Sequence, residues 1–373
     1  MKIGFDAKRI THNSTGLGNY SRFVVNILST FYPENSYYLY SPSKGKERLR
    51  GQIKAHSNIF FRYPLGIAKT LKSLWRSYGI ISDLQKDRIE VFHGLSNELP
   101  FHLKKKNIKS VVTIHDLIFI RYPEFYKPID RHIYTYKFKK ACQNADVVIA
   151  ISEMTKQDII RFFKIPEKKI KVIYQGCDPS FSRKVTLQEK QSLKEKYHLP
   201  DKFILNVGSI ESRKNLLLII KALKYADYPV PLVVIGKPTP YIKQVEQYLQ
   251  KNSLQSQVIF LHHVPFTDLP GIYQNASLFI YPSFFEGFGI PILEALASEV
   301  PVIAATGSCL EEAGGPGSIY INPRDEKQLA EKINEVLSNP ELSQKMIETG
   351  KDYMQNFSAK TLSDQLMEVY MNL

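Results

Sequence analysis

Short apolar runs alternate with helical patterns along the chain, and this alternation limits the folds that it can adopt. The predicted strands of the first half are Ile3–Phe5, Val91–His93, Ser110–Ile114, Asp146–Ala150 and Ile170–Tyr174. After the first of them, apolar residues recur at helical spacing from Tyr20 to Phe31. Strands that alternate with helices form βαβ units, so this half is expected to fold around a parallel sheet.

The second half of the chain repeats this pattern. Its predicted strands are Phe203–Val207, Leu232–Ile235, Val258–Leu261, Leu278–Tyr281 and Val300–Ala304, and the predicted helices lie near 213–224, 241–252, 267–275 and 291–298. A single hydrophobic core stops growing at about 250–300 residues, so a chain of 373 residues is expected to hold two domains. The sequence therefore predicts an α/β fold with two Rossmann-like domains.

Turn-forming residues mark the predicted domain boundary. The segment 175–179 interrupts the apolar periodicity with glycine, aspartate and proline. Placing the boundary there gives an N-terminal domain over 1–178 and a C-terminal domain over 179–355. A last helical pattern occupies 356–373, and one option is that this helix packs back on the N-terminal domain.

The positive charge of the chain lies in one half. The net charge is +14, but residues 1–180 contain 31 Lys and Arg against 15 Asp and Glu, whereas residues 181–373 contain 19 against 21. A basic half favours an anionic partner, either a phospholipid surface or a phosphorylated substrate, and a solvated basic surface is the alternative. No nucleic-acid recognition motif accompanies the charge, so a nucleic-acid partner is not expected.

Cysteine usage and the first residues of the chain bear on its location. The three cysteines lie far apart without CxxC spacing, so neither a disulfide framework nor a zinc site is indicated. The first ten residues lack the apolar segment of a secretory signal, and no apolar run approaches the ~20 residues of a membrane-spanning helix. We expect a cytoplasmic protein, with a peripheral position on the inner face of the cell membrane as one option.

Ligands of parallel sheets bind at the carboxyl ends of the strands, so the loops that follow strands are the places to search. The loop 11–19 follows the first strand and brings Gly16 and Gly18 to the start of a helix. Backbone N–H groups there can bind phosphate oxygens, and glycine permits a close approach. The third glycine of the dinucleotide fingerprint is absent, so an ordinary tight turn explains the pair equally well.

A second loop combines a glycine with two cations. Gly208 follows a predicted strand, and Arg213 and Lys214 stand at the start of the next helix. Adjacent cations at a helix N-terminus repel each other and oppose the helix dipole, so an anionic ligand would relieve an unfavourable arrangement. This favours diphosphate binding, and two solvated surface cations are the alternative.

The segment 282–295 is the strongest local signal. Gly289 leads to Pro291, which suits the first turn of a helix, so Glu286 is predicted on a loop and Glu294 in an early helical turn. Both carboxylates can accept hydrogen bonds from the hydroxyls of one sugar ligand, while the helix N-terminus can hold phosphate. Helix capping is an alternative explanation of Glu294 but explains Glu286 poorly.

The spacing of Glu286 and Glu294, with seven residues between them, resembles the motif of the large retaining family of GT-B glycosyltransferases called family 4. Further segments resemble that family in the same order: Thr113–Leu117, Ile151–Ile159, Val207–Asn215 and Val264–Tyr273. Together these segments extend over essentially the whole chain. The resemblance implies a GT-B fold, in which two Rossmann-like domains face an interdomain cleft, with the acceptor bound by the first domain and a nucleotide sugar by the second.

The resemblance also implies roles for the charged residues of the second domain. Arg213 and Lys214 would hold the donor diphosphate, Glu294 the ribose hydroxyls, and Glu286 the transferred sugar. In one departure from the family pattern, Ser209 stands where many members have arginine. Arg213 would then supply that charge.

Further residues follow from the same resemblance. The backbone of Phe288, Gly289 and Ile290 would complete the sugar site, and Val264 with its neighbours would line the base pocket. His115 would lie beside the anomeric centre, and its Thr-Ile-His-Asp context favours this role over that of a structural histidine.

The implied reaction is hexose transfer from a nucleoside diphosphate sugar on one face of the sugar, with a donor phosphate oxygen receiving the acceptor proton. Negative charge develops on the departing diphosphate, and preorganised cations and helix N–H groups stabilise it. No Asp-x-Asp motif is present, so neither a metal ion nor another cofactor is expected. The subgroup suggests GDP-mannose or a similar GDP-sugar as donor for polysaccharide or O-antigen assembly.

The acceptor is assigned by resemblance to the basic first half. Lys69, Lys72, Trp75 and Arg76 lie among aliphatic residues in a pattern typical of an amphipathic helix at a membrane surface. This favours a glycan or a polyprenyl-diphosphate-linked glycan as acceptor at an anionic membrane. An interior helix with a polar outer face would show the same pattern.

Three other functions remain as alternatives at this stage: a GT-B sugar-nucleotide epimerase or hydrolase, a noncatalytic nucleotide-sugar or glycan-binding protein, and a dinucleotide oxidoreductase. The presence of His115, Glu286, Arg213 and Lys214 together argues against the binding protein. The incomplete glycine fingerprint and the missing acidic residue after strand two argue against the oxidoreductase.

Overall fold

The chain forms two compact α/β units. The computed structural model describes residues 1–54, 56–227 and 230–373. The first unit consists of Met1–Gly176 together with Phe357–Leu373, and the second unit of Cys177–Asn356. The last helix of the chain therefore belongs to the first unit, and the backbone passes from one unit to the other twice.

The first unit is built on a parallel sheet of seven strands in the order β3-β2-β1-β4-β5-β6-β7. Its strands are β1 (Lys2–Asp6), β2 (Ser36–Tyr40), β3 (Ile59–Arg62), β4 (Val91–Gly94), β5 (Lys109–Ile114), β6 (Val147–Ala150) and β7 (Ile170–Val172). The chain runs outward from β1 to β3 and then returns to place β4 on the other side of β1. Such a reversal creates a crevice at the carboxyl ends of β1 and β4.

Eight helices belong to the described residues of this part of the chain, and most of them bury apolar residues. They are α1 (Lys8–His12), α2 (Gly16–Phe31), α3 (Glu47–Arg50), α4 (Lys72–Leu74), α5 (Ile80–Asp87), α6 (Ile118–Arg121), α7 (Pro128–Asn144) and α8 (Glu153–Asp158). The side chains of Tyr20, Val24, Ile27 and Leu28 on α2 are buried in the core, as their helical spacing predicts.

The second unit repeats the architecture with six parallel strands in the order β10-β9-β8-β11-β12-β13. Its strands are β8 (Ile204–Val207), β9 (Leu232–Ile235), β10 (Val258–Leu261), β11 (Leu278–Tyr281), β12 (Val302–Ala305) and β13 (Ile319–Ile321). Its helices are α9 (Leu187–Tyr197), α10 (Leu216–Ala222), α11 (Ile242–Lys251), α12 (Leu269–Tyr273), α13 (Ile290–Ala297), α14 (Leu310–Gly314), α15 (Glu326–Ser338) and α16 (Pro340–Tyr353). Here the reversal lies between β8 and β11.

The last helix, α17 (Ala359–Met371), completes the core of the first unit. Its residues Leu362, Leu366, Met367 and Tyr370 are buried in the same apolar cluster as α2 and β1. None of the helices in the described ranges is long and apolar enough to cross a bilayer.

The sequence did not predict β2, β3 and β13. Strand β2 reads Ser-Tyr-Tyr-Leu-Tyr and its tyrosines are buried, and the hydroxyls of Tyr37 and Tyr40 have hydrogen-bond partners. The Tyr37 hydroxyl donates to the Leu28 carbonyl at 2.9 Å, and the Tyr40 hydroxyl donates to Asp87 at 2.7 Å. A buried tyrosine needs such a partner, and neither partner is visible in a local pattern.

The predicted amphipathic helix around Lys69, Lys72, Trp75 and Arg76 is wrong as a continuous surface helix. A 3-10 turn at Gly66–Lys69 is separated from a helix that begins at Lys72, where α4 continues through a π turn at Trp75–Gly79 into α5. Lys69 and Lys72 are exposed, but Trp75 is buried and donates its indole N–H to Asp83 at 2.7 Å.

Arg76 also points inward. Its guanidinium pairs with Asp6 at the end of β1 and with Glu98 after β4, at 2.5 and 3.0 Å. Asp6 is buried, and a buried carboxylate needs a cationic partner, which Arg76 provides. Of the predicted membrane helix, the exposed apolar residues are thereby limited to Ile67, Leu71 and Leu74.

We predict that Leu366→Ala destabilises the first unit by about 2–5 kcal/mol, because it removes a buried side chain and leaves a cavity in the apolar cluster that α17 shares with α2. Urea unfolding followed by the fluorescence of Trp75, the single tryptophan of the chain, reports on this unit. Ile129→Ala, at a residue that is 74% exposed, is the matched control and should change stability by less than about 0.5 kcal/mol. Equal effects of the two variants would contradict the packing of α17.

Candidate functional site

The main cluster of predicted site residues lies at the strand reversal of the second unit. Gly208, Arg213 and Lys214 are on the loop that follows β8, and Glu286 is on the loop that follows β11. Because β8 and β11 are neighbours in the sheet, both loops leave its carboxyl edge side by side. A hydrogen bond from the Phe284 N–H to the Arg213 carbonyl, at 2.9 Å, ties them together. Open α/β sheets bind ligands at this position.

Glu286 contacts both cations of the neighbouring loop. One carboxylate oxygen lies 2.8 Å from the Arg213 guanidinium, and the other lies 2.6 Å from the Lys214 ammonium. The three side chains are only 12–15% exposed. Arg213 also pairs with Glu211 at 2.8 Å, so that two cations and two carboxylates form one nearly neutral cluster.

The pKa shifts reflect this pairing. Burial by itself raises the pKa of Glu286, but the charges of Lys214 and Arg213 outweigh it and lower the pKa to about 2. Burial lowers the pKa of Arg213, but the charges of Glu286 and Glu211 outweigh this effect, so the pKa lies above the usual value of arginine. Glu286 and Arg213 are therefore fully charged at any ordinary pH.

Tyr281, the last residue of β11, completes the cluster. Its ring centroid lies 4.8 Å from the Lys214 ammonium, and its hydroxyl accepts a hydrogen bond from that ammonium and donates to Glu286 at 3.2 Å. The sequence analysis missed this residue because it ends an apolar strand. Its position immediately before a loop at a carboxyl strand end is the signal that could have found it.

Glu294 has a different environment from Glu286. It lies within α13, is buried, and accepts a hydrogen bond from the Tyr273 hydroxyl at 2.8 Å. Burial raises its pKa to about 7, against the opposing effect of Tyr273. Glu294 is thus part protonated at neutral pH and can both donate and accept hydrogen bonds.

The backbone between the two glutamates is shaped by Gly289. Its φ of 137° favours glycine, and a Cβ atom there would lie 3.1 Å from Leu310 and 3.2 Å from Ala313. The sulfur of Cys309 lies 3.0 and 3.1 Å from the carbonyl oxygens of Glu286 and Phe288, and its single hydrogen can donate to either of them. These contacts fix the path of the loop.

The remaining predicted residues of this unit lie close to that loop or further along the sheet. Ile290 is the first residue of α13, directly after the loop. Val264 follows the edge strand β10, which is two strands away from β8, and its side chain is partly exposed. The role of Val264 in a base pocket stays a prediction.

His115 lies after β5 in the first unit, and both of its ring nitrogens have protein partners. Nε2–H donates to the Leu95 carbonyl at 2.8 Å, and the side-chain amide of Gln175 donates to Nδ1 at 3.1 Å. The backbone N–H of His115 donates to Asn97 at 2.9 Å. Burial lowers the pKa of His115 to about 4, so the ring is neutral with its proton on Nε2.

A ring contact and three buried hydrogen bonds link this histidine to the last helix. The Tyr20 ring packs edge-on against His115 at 4.7 Å, and its hydroxyl contacts Thr113 at 3.1 Å. Thr113 also contacts His93 at 2.8 Å, and His93 contacts the Tyr370 hydroxyl of α17 at 2.6 Å. The helix that closes the chain therefore supports the strand ends around His115.

Gly16 and Gly18 lie at the start of α2, as predicted. The Gly18 N–H donates to the Thr15 carbonyl at 2.9 Å and to the Asn13 side chain at 3.3 Å. A Cβ on Gly18 would lie 2.0 Å from the Asn13 carbonyl oxygen, which accounts for glycine there through the turn itself. Phosphate binding by this loop stays a prediction.

The described residues contain no group of three or more His, Cys, Asp or Glu side chains arranged to hold a metal ion. The four charges of the cluster around Glu286 include two carboxylates, one on each side of the Arg213 guanidinium. Both carboxylates have cationic partners, and whether the reaction needs a metal stays a prediction.

Two family models match the chain, one on each unit. Residues 30–181 match the family described as Glycosyltransferase Family 4, and residues 188–353 match Glycosyl transferases group 1. Between them they extend over most of the sequence, and the second match contains the whole cluster around Glu286.

Curated relatives and a solved structure agree with these matches. The O-antigen chain mannosyltransferase B of Escherichia coli is 27% identical over 99% of both chains. The O-antigen chain mannosyltransferase RfbU of Salmonella typhimurium is 30% identical over 62% of this chain and 61% of that protein. The structure of HepE from Anabaena, in complex with UDP and glucose, superposes with a TM-score of 0.77 at 20% identity over the full length of both chains.

The two Rossmann-like units with parallel sheets form the GT-B fold that the sequence analysis predicted, and HepE shares this fold. The matches of both units specify the family within that class. The chain belongs to the family 4, group 1 glycosyltransferases.

Gln175 is the second residue that the sequence analysis missed, and it yields a test. We predict that Gln175→Glu raises the pKa of His115 well above its value of about 4, because a carboxylate accepts a proton from Nδ1 and stabilises the charged ring. NMR titration of the imidazole resonances measures this shift. Gln143→Glu, at an exposed position of the same unit, should leave the titration unchanged, and an unchanged pKa in Gln175→Glu itself would contradict the hydrogen bond.

Proposed function

We propose that this glycosyltransferase transfers a hexose, mannose, from a nucleoside diphosphate sugar to a glycan or polyprenyl-diphosphate-linked glycan in the assembly of a polysaccharide such as O-antigen. The transfer retains the anomeric configuration and requires neither a metal ion nor another cofactor. The contact of Arg213, Lys214 and Glu286 carries the proposal, because it joins a cation pair suited to diphosphate with a carboxylate suited to sugar hydroxyls.

In this proposal the second unit binds the donor. Arg213 and Lys214 hold the diphosphate beside Gly208, and Glu286 receives hydrogen bonds from the hexose. Glu294 binds the ribose hydroxyls, which can donate hydrogen bonds to its carboxyl oxygens. The fixed loop around Gly289 offers backbone groups to the sugar.

The chemical step exchanges one bond at the anomeric carbon for another on the same face. The bond from that carbon to the phosphate oxygen breaks, a bond to the acceptor oxygen forms, and the acceptor proton passes to the departing phosphate oxygen. Arg213 and Lys214 stabilise the charge that grows on the diphosphate. His115 contributes as a neutral group beside the anomeric centre, because its pKa of about 4 leaves it uncharged at neutral pH.

The names of the relatives support the choice of sugar and pathway. Both O-antigen relatives are mannosyltransferases, which favours a GDP-sugar, GDP-mannose, as the donor. The HepE structure contains UDP and glucose, so UDP-sugars are the donors to compare first. A thermal-shift panel of GDP-, UDP-, dTDP- and ADP-sugars distinguishes them.

We predict that Lys214→Ala lowers the transfer rate by about 10²–10³-fold, because the growing charge on the leaving diphosphate loses a preorganised cation. Transfer of labelled sugar to the acceptor measures the rate. Lys224→Ala removes an exposed lysine of the same unit and should leave the rate unchanged. An equal rate in wild type and Lys214→Ala would refute the diphosphate assignment.

The same assay tests the remaining parts of the proposal. A chelator should leave the rate unchanged, and NMR of the product should show the anomeric configuration of the donor. Release of labelled sugar without acceptor, at the rate seen with acceptor, would instead indicate a hydrolase.

A membrane-bound acceptor requires a surface that approaches the lipid, and residues 65–74 of the first unit are suited to it. Leu65, Ile67, Leu71 and Leu74 are 50–81% exposed, and the exposed Lys69 and Lys72 lie among them. Exposed apolar side chains interleaved with lysine favour a peripheral site on an anionic bilayer, on the cytoplasmic side of the membrane.

We predict that the protein floats with vesicles that contain anionic lipid, and that high salt weakens this association because it screens the charges. The double variant Lys69→Glu/Lys72→Glu should reduce flotation at low salt, whereas Lys224→Glu in the second unit should not. Absence of binding at both low and high salt would reject the membrane proposal.

A further inference from the structure

In the free protein, the cations proposed to bind the diphosphate already have an anionic partner. The two carboxylate oxygens of Glu286 lie 2.8 Å from Arg213 and 2.6 Å from Lys214, one on each cation. Both oxygens are thus engaged by the groups that the diphosphate needs. An arriving diphosphate must displace this carboxylate or share the cations with it.

Displacement of Glu286 is costly unless the carboxylate finds new donors. Its side chain is only 12% exposed, so water cannot fully replace the two cations. The Tyr281 hydroxyl donates one hydrogen bond at 3.2 Å, which does not replace two charged partners. Leaving a buried carboxylate without its partners strongly destabilises the folded protein.

We propose that Glu286 is an internal counterion that makes the site select nucleotide sugars over bare nucleoside diphosphates. The proposal rests on the assignment of the diphosphate to Arg213 and Lys214. When the ligand is a nucleotide sugar, the sugar hydroxyls donate hydrogen bonds to the displaced carboxylate and offset its loss. A bare nucleoside diphosphate brings no such hydroxyls, so the carboxylate stays on the cations and competes with it.

The same competition favours release of the product. After transfer, the sugar leaves with the acceptor and Glu286 loses its hydroxyl partners. The carboxylate then returns to Arg213 and Lys214 and weakens their hold on the diphosphate. Because the pKa of Glu286 is lowered to about 2, the carboxylate is charged and competes throughout the pH range 5–8.

Glu286→Gln tests the inference, because it removes the charge and keeps the shape and one acceptor oxygen. Calorimetric titration with inorganic pyrophosphate, GDP, UDP and the donor sugar nucleotide measures the affinities. We expect Glu286→Gln to bind pyrophosphate and the bare nucleotide at least about tenfold more tightly than wild type. The affinity for the nucleotide sugar should rise less, so that the preference for the sugar-bearing ligand falls.

Two controls accompany this variant. Glu335→Gln removes a carboxylate on α15 that pairs with Lys332 on the surface, and should change pyrophosphate affinity by less than about twofold. A measurement on wild type does not depend on the folding of any variant: the nucleotide sugar should bind more tightly than the matching nucleoside diphosphate.

The outcomes separate this inference from the proposed function. The counterion role is overturned if Glu286→Gln binds pyrophosphate no more tightly than wild type. It is also overturned if wild type binds the nucleotide sugar and the matching nucleoside diphosphate with equal affinity. Lys214→Ala tests the diphosphate site itself, and weaker pyrophosphate binding supports that site. Loss of binding in Lys214→Ala without a gain in Glu286→Gln would reject only the counterion, whereas unchanged binding in Lys214→Ala would reject the site on which it rests.

Discussion

The ion cluster of Glu286, Arg213 and Lys214 is the interaction on which the candidate donor site depends. Like charges on adjacent residues would repel each other in a site that is largely shielded from water, and the carboxylate from the neighbouring loop makes their proximity favourable. The sheet order creates this meeting, because β8 and β11 are distant in sequence but adjacent in space. The cluster therefore exists only in the folded unit, where each cation already has a carboxylate partner.

In the first unit, buried hydrogen bonds orient His115. His115 is held by Leu95 and Gln175 in one tautomer, and its pKa of about 4 keeps it neutral. The second unit thus offers fixed charges and the first an uncharged, oriented imidazole. In the proposed transfer, the fixed cations of the second unit would stabilise the negative charge that develops on the leaving diphosphate.

Much of the fold could be predicted from sequence, because ten strands are continuous apolar runs that sit between helical patterns. The loops after them contain the charged residues of the cluster, so the contact of Arg213 with Glu286 could also be predicted. Features that depend on polar partners far away in the sequence could not be predicted. Gln175 and His115 are 60 residues apart, and Arg76 turns inward because Asp6, 70 residues earlier, needs a cation. Local periodicity contains no information about such pairs.

The place of α17 in the first unit has a consequence for how the protein is made. A ribosome releases Met1–Gly176 long before Phe357–Leu373, and the whole of Cys177–Asn356 emerges in between. The apolar groove that Leu366 and Tyr370 fill stays uncovered during that interval. The inserted unit can thus complete its own core first, whereas the first unit is complete only after Phe357–Leu373 have been synthesised, which reverses the usual N-to-C order of domain folding.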